Sequence, residues 1–284
     1  MLIKENYIIL CLLINTLFPI GLKALIIPQT ASLLSKSGTG VSNSYDVNPA
    51  LLYNANSHVG FSRNNWFGDL EGQKISILLE NMTLLSFETL SVTDIELRNE
   101  IASDSPIGFF GVYWYALELN RPIILKSLEP DHMSIGYKIK LNFSKLYTET
   151  MQGYSIDFGL KRKINDRLSF GLAVKNIGEE SSNNLRVDNL STIVFGVSYI
   201  MLNDKLLLIS DIINRDSDNL IKLALETNLP YINFIFGGTQ SKNYKDISYG
   251  IKVKFNDWEV IYGHLSHDNQ SLGNPSSVEI KKYF

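Results

Sequence analysis

Apolar and polar residues alternate with a period of two along most of the chain beyond residue 57. The clearest run covers 132–143, where Met133, Ile135, Tyr137, Ile139, Leu141 and Phe143 alternate with Ser134, Gly136, Lys138, Lys140 and Asn142. That period puts one set on each face of a β-strand, whereas a helix would scatter both around its axis. The same alternation recurs at 154–163, 167–175 and 246–255, and more weakly at 58–66, 72–80, 81–90, 109–120, 192–200, 205–213, 219–228, 231–239, 257–264 and 276–284. The pattern predicts an all-β chain of about fourteen antiparallel strands, each of roughly ten residues, the even number a single-chain transmembrane β-barrel uses.

Links between these runs point the same way. Short turns rich in Asn, Asp and Pro fall at Ile164-Asn165-Asp166, Leu202-Asn203-Asp204, Leu229-Pro230 and Asn256-Asp257. Longer polar links at 91–108, 144–153, 176–191, 240–245 and 265–275 alternate with them, as surface loops alternate with periplasmic turns in outer-membrane barrels. The link at 121–131 is long for its place, and Ile123-Ile124-Leu125 predicts a segment tucked against the barrel.

On the polar face lie Lys138, Lys140, Asp157, Lys161, Lys222, Glu226, Lys252 and Lys254. In a membrane barrel they line the lumen, and their mixed signs predict internal ion pairs rather than a charge-selective pore. A soluble β-barrel or sandwich shares the alternation but turns these lysines to water. A glycine echo, at Gly136, Gly159, Gly171, Gly196 and Gly250, also falls on the polar face. It reads either as strand crowding or as close approach of something packed in the lumen.

The ends of the chain sharpen the picture. Val278, Ile280 and Phe284 share one face of the last run, so the chain closes on an outward terminal aromatic, and Phe284 is the candidate barrel-insertion signal. At the other end Lys4 precedes an apolar stretch, Tyr7 to Ile20, and Leu22-Lys23-Ala24 offers a cleavage site, which predicts export with residues 1–24 removed. The stretch is too short and interrupted for a membrane-spanning helix. Cys11, the only cysteine, lies within it, which excludes disulfides, thiol chemistry and Cys-held metals from the mature chain.

Composition adds little beyond this. A net charge of −3 argues against nucleic acid as a partner. Fourteen Tyr, fourteen Phe and three Trp suit both strands and interfacial girdles. No catalytic constellation is evident: Ser37-Gly38-Thr39-Gly40 lacks the lysine and setting of a phosphate loop, and His264 with His267 lacks further zinc ligands. The Glu179-Glu180 and Asp216-Ser217-Asp218 clusters read as solvated loops. The chain is expected to be no enzyme and to need no cofactor or metal.

Between Pro28 and Gly40 the chain runs Pro-Gln-Thr-Ala-Ser-Leu-Leu-Ser-Lys-Ser-Gly-Thr-Gly and reaches Asn48-Pro49-Ala50-Leu51-Leu52. This opening resembles the PorV/PorQ family of outer-membrane proteins, a branch of the FadL-like barrels. Glu96-Leu97-Arg98, Ser105 to Gly108, Gly136-Tyr137-Lys138, Lys145-Leu146-Tyr147, Gly153 to Gly159, Gly171 to Gly178 and Ser248 to Ile251 follow that family's order. Ala50-Leu51-Leu52, where many PorV-like chains have Ala-Gly-Leu, leans toward PorQ. The resemblance implies a fourteen-stranded barrel over 58–284, with 25–57 as a plug-like or hatch-like segment at the lumen and Asn48, Pro49 and Ala50 as the family motif. It implies residence in the bacterial outer membrane, with its lipid as partner, and a non-enzymatic role in type IX-like secretion or surface attachment beside other proteins of that system. FadL-like uptake of hydrophobic compounds, with a hatch gating a lumen pocket and lateral exit, is the alternative.

Overall fold

A computed structural model describes residues 23–53, 55–98, 105–124, 133–182, 186–215, 218–242, 244–267 and 273–284. The expected signal segment, Cys11, Asp216-Ser217 and the middle of several links therefore lie outside the described residues.

Fifteen strands follow one another: β1 (His58–Asn65), β2 (Glu71–Leu78), β3 (Leu84–Leu97), β4 (Gly108–Ile123), β5 (Met133–Leu146), β6 (Glu149–Lys163), β7 (Leu168–Ser181), β8 (Arg186–Asp188), β9 (Thr192–Met201), β10 (Leu206–Arg215), β11 (Asp218–Thr227), β12 (Ile232–Gln240), β13 (Lys245–Phe255), β14 (Trp258–His267) and β15 (Ser276–Tyr283). Each pairs antiparallel with its neighbours, except that β7 pairs onward with β9 and β8 adds only a short ladder at the end of β7. β1 and β15 pair from His58↔Tyr283 to Asn65↔Ser276, which closes fourteen strands into a barrel. Closure removes both sheet edges, the condition for placing a sheet where no water can satisfy its backbone.

The alternation decides the faces. Ile139, Phe158 and Ile251 point outward, as do Phe234 and Phe236, while Ser134, Ser155 and Asn233 between such residues are buried. The outer surface is thus apolar along the strands. Phe255, Trp258, Tyr231 and Phe284 gather as exposed aromatics at the end that holds the C-terminus, where Lys282 Nζ lies 5.1 Å from the Trp258 ring. Among the described residues no helix is long and apolar enough to cross a membrane. The barrel's outside is the apolar surface the chain presents.

The wall is uneven. β3 to β7 run for 14 to 16 residues, against 8 to 11 for the other barrel strands. Four or five extra residues at about 3.3 Å each raise that side by roughly 15 Å before tilt. The long polar links expected at 91–108, 144–153 and 176–191 are mostly these extensions: β5 and β6 are joined by only Tyr147 and Thr148. Their residues pair with one another above the shorter strands, so polar composition there marks strands wet on both faces rather than loops. Ile123 ends β4 on the outer face with Ile124 exposed beyond it, and the rest of the link in which a tucked segment is expected, from Leu125 on, lies outside the described residues.

Two irregularities shape the upper wall. β3 bulges between Val92 and Ile95, with Asp94 at φ 61°, just beyond Ser91, the last residue that β2 pairs. β7 bulges opposite Asp157, where Asn176 takes φ 60° and its N–H donates to Asp157 Oδ1 at 2.6 Å. Asn tolerates that left-handed conformation better than most residues, and the carboxylate holds the extra residue in place.

Candidate functional site

Residues 23–53 and 55–57 do not join the sheet. They thread the lumen from the end far from Phe284, past β12 to β15, across β9 to β11, and out beneath β4 to β6. A short helix, α1 (Ala31–Ser35), starts at Thr30, whose hydroxyl accepts the Leu33 N–H at 3.3 Å. Apolar contacts seat the segment at several points: Ala31 on Ile235 and Ile261, Val41 and Val47 on Ala173, Val194 and Leu220, and Leu52 on Leu78 and Leu84.

Polar contacts fix it further. Asp211 Oδ2 accepts the Gly40 and Val41 N–H groups at 2.7 and 3.1 Å, and Glu279 Oε2 accepts the Ser32 N–H at 3.0 Å. Lys36 meets Glu226 at 2.8 Å, and Lys252 meets the other oxygen of Glu226 at 2.5 Å. Asn48, of the Asn48-Pro49-Ala50 motif, caps a 3-10 turn by accepting the Ala50 N–H at 3.0 Å, while its amide donates to the carbonyls of Val41 and Leu160. Pro49 suits the first turn because it has no N–H to satisfy there.

The glycine echo is explained by this thread. A Cβ at Gly136 would meet Pro49, one at Gly159 would meet Asn48, and one at Gly171 would meet the Val41 carbonyl. At Gly263 it would lie 2.6 Å from the Ala31 carbonyl oxygen, and at Gly237 2.6 Å from the Lys36 backbone. The inward glycines mark where the N-terminal backbone lies on the wall.

Of the polar residues singled out in the sequence, Lys138 donates to the Asp46 carbonyl at 2.9 Å and lies 3.4 Å from Glu118; Lys140 bridges Glu88 at 2.8 Å and Glu118 at 3.5 Å. Asp157 is buried at the β7 bulge, and Lys222 donates to the Ser37 carbonyl at 2.5 Å. Glu226 and Lys252 meet through the pair already described. Lys161 is half-buried and Lys254 exposed, both toward the Phe284 end, so these two stand apart from the lumen network. Phe284 is exposed at the rim, its N–H bonded to the Ser57 carbonyl at 3.2 Å.

The network also holds residues that the sequence pattern does not single out. Lys74, Glu88 and Glu118 join Asp46, with Lys74 at 3.5 Å from Asp46 and 2.9 Å from Glu88. Burial alone would raise the Asp46 carboxyl, but Lys74, Lys281 and Lys138 outweigh it and hold the group below its ordinary value. The Tyr45 phenol, buried beside it, is pushed up to about 12. Glu88 and Glu118 obey the period of two. What hid them was the neighbouring alternation of bulky apolar residues, which reads as complete without them.

At the far end two spaces adjoin. One is a cavity of ≈ 90 Å³ within the lumen, bounded by Leu25 to Gln29, the Asp46 network, Lys175, Arg215 and Lys222. The other, of ≈ 330 Å³, opens at the mouth between Ile26-Ile27-Pro28 and the aromatic and aliphatic residues Trp66, Phe67, Leu70, Tyr244 and Leu265. Ile26 to Pro28, Arg215 and Lys222 border both. Apolar lining continues inward through Ile27 and Leu70 to Leu25, Leu90, Trp114 and Ala116, beside the point where β2 ends and β3 continues.

A closed fourteen-strand barrel, greasy outside and filled by its own N-terminal segment, has the architecture of outer-membrane β-barrel proteins. Solved structures of that kind are similar to it. The Pseudomonas putida toluene transporter TodX superposes with a TM-score of 0.64 at 10% identity, over 90% of this chain and 98% of that one. The Acinetobacter baumannii outer membrane protein Omp33 gives 0.50 at 9% identity, over 81% and 98%. No family model matches the chain and no curated protein matches it, so the PorV/PorQ resemblance rests on the motif residues alone.

Proposed function

We propose that the protein is a non-enzymatic channel of FadL-like type in the outer membrane, admitting small, largely apolar molecules at the mouth of the barrel. The observation that carries this reading is the pocket of ≈ 330 Å³ whose apolar wall is Trp66, Phe67, Leu70, Tyr244 and Leu265, with Arg215, Lys222, Asp246 and His267 as its charged or titratable border. Preformed concave sites with predominantly apolar and aromatic walls and a limited set of placed polar groups are the usual seats of small ligands. The likeness to TodX supports the reading at the level of fold, which does not by itself fix function. Because the N-terminal segment fills the lumen, a straight aqueous path is not the route we favour. The apolar track from Ile27 and Leu70 continues inward from the mouth to Leu90 and Trp114 on the inner face of β3 and β4.

Native mass spectrometry of the purified barrel, loaded with toluene or 4-ethyltoluene, tests this. Bound ligand is expected, and Trp66→Ala with Phe67→Ala should abolish it. Absence of bound apolar ligand in the unaltered protein, with unchanged uptake of such compounds by cells lacking it, would sink the channel reading. The resemblance to PorV/PorQ favours a second reading, a component of type IX-like secretion or surface attachment. It is supported by the many bonds that pin the N-terminal segment and by the raised β3–β7 wall, which offers a partner a surface. Co-purification of secretion or surface proteins with the intact barrel would favour that reading.

A further inference from the structure

The outer wall is not evenly filled. On the face that meets lipid, the side chains of β2 to β5 leave a shallow groove of ≈ 460 Å³, bordered by Ile75, Phe87, Leu117, Leu119, Ile139 and Leu141. A second space of ≈ 440 Å³ continues it away from the Phe284 end, between Tyr115, Phe143 and Gln152, and shares Phe87, Leu117 and Leu141 with the first. Rings close that end: Tyr115 lies 6.3 Å from Phe87, stacked, and 6.3 Å from Phe143. Acyl chains cover the outside of any membrane barrel, so a groove alone identifies nothing.

The other end supplies the chemistry. The next outward residue of β4 beyond Leu119 is Arg121, exposed, close to the end of the strand at Ile123. The ladder sets it directly opposite Tyr137, the outward neighbour of Ile139 on β5. Among the described residues Arg121 makes no hydrogen bond or ion pair, and the carboxylate of its own strand, Glu118, is buried on the inner face. A guanidinium at the edge of hydrocarbon without a counter-charge favours an anion, and its planar fork suits a phosphate.

Height and length agree with that. Phe255 closes β13 and Trp258 opens β14 at the same end, as an aromatic girdle does at a membrane interface. From Arg121 to Tyr115 the groove follows β4 for about 20 Å, at about 3.3 Å per residue. Tilted by about 45°, that run covers about 14 Å of depth, close to the roughly 15 Å of hydrocarbon in one leaflet.

We infer that the outer wall between β2 and β5 is a specific phospholipid site: Arg121, with Tyr137 across the ladder, takes the head-group phosphate, and the groove takes an acyl chain that ends against Tyr115 and Phe143. Orientation selects the source. Lipid A would bring its phosphates to the opposite interface, beyond the rings, whereas Arg121 lies on the Phe284 side, so the occupant is a glycerophospholipid of the periplasmic leaflet. The site lies outside the barrel and does not depend on what the lumen carries.

Native mass spectrometry of the whole barrel, released from detergent micelles doped with one lipid at a time, tests this. The probes are dipalmitoylphosphatidylglycerol, dipalmitoylglycerol, which lacks the phosphate, and lipid A. A single phosphatidylglycerol per barrel is expected to survive activation that strips detergent, at about ten times the occupancy of dipalmitoylglycerol, the scale of one charge-assisted contact. Arg121→Gln should remove that preference. Leu117→Trp, which fills the groove where the two spaces join, should remove the bound lipid altogether. These changes act at separate places, so either one reads the site if the other fails to fold. Arg162, exposed on the outer face of β6 at the same end but bordering neither space, is the control, and Arg162→Gln should change nothing. Equal losses with Arg121→Gln and Arg162→Gln would mean a general basic girdle and overturn the site. Equal retention of the two glycerolipids, or an Arg121-dependent preference for lipid A, would overturn it as well.

Discussion

The inward glycines carry more of this fold than any bulky residue. Gly171 faces Gly196 across β7 and β9, and both back onto Val41. Gly136 faces Gly159 in the same way, beneath Asn48 and Pro49. Glycine weakens a strand by its entropy, so seven strands, β5, β6, β7, β9, β12, β13 and β14, bearing one against the N-terminal segment make sense only if the missing Cβ leaves room for that segment. Gly171→Ala should therefore destabilise, by about 1–3 kcal/mol for overpacking against the Val41 carbonyl. Gly108→Ala, where a Cβ would meet nothing within 4 Å, is the control and should leave stability unchanged. Thermal unfolding in detergent distinguishes the two, and equal midpoints would mean that the segment is not held where it lies. The sequence displayed these glycines on the polar face. It could not say what they approach, because the approaching segment lies far away in the sequence and has no period of its own.

At the scale of elements, strand positions and faces were legible, since each strand states its own alternation and closure needs only that they be even in number. Register, the bulges and the uneven height of the wall were not. They depend on how far two strands keep pairing, and polar residues at 144–153 serve a wet strand as well as a loop. The N-terminal thread was the least legible element: its only signals were the family resemblance and the ambiguous glycines. Its hold on the barrel centres on Asp211, one carboxylate oxygen accepting two successive N–H groups. Asp211→Ala leaves both donors buried without a partner, a loss of about 1–3 kcal/mol for each orphaned group. The segment should then shift or leave while the strands stay paired. Planar-bilayer recordings are expected to show low, quiet conductance for the unaltered barrel and frequent larger openings for Asp211→Ala. Unchanged conductance would mean that the remaining bonds at Lys36, Ser32 and Asn48 suffice to seal the lumen.

For the molecule as a whole, the inside-out arrangement makes sense only in lipid. Buried lysines and glutamates pair around the N-terminal thread while Ile139, Phe158, Phe236 and Tyr262 stand outside, an arrangement that would aggregate in water. Two changes separate the fold's need for lipid from the way it gets there. Ile139→Arg places a charge on the outward mid-strand of β5, where the penalty at the bilayer midplane is about 2–4 kcal/mol, and should lower the folded fraction even in lipid vesicles with no assembly machinery. Phe284 is another matter. Its side chain is exposed at the rim, and its place in the wall is held by a backbone bond to Ser57, so deleting it removes little folding energy. Truncation at Tyr283 should accordingly refold into vesicles nearly as well as the full chain. In cells, if the terminal aromatic is the signal by which the barrel is inserted, the same truncation should deplete the outer-membrane fraction and increase periplasmic degradation. Full outer-membrane levels of the truncated chain would strip Phe284 of that role and leave it one member of the aromatic girdle formed with Trp258, Phe255 and Tyr231.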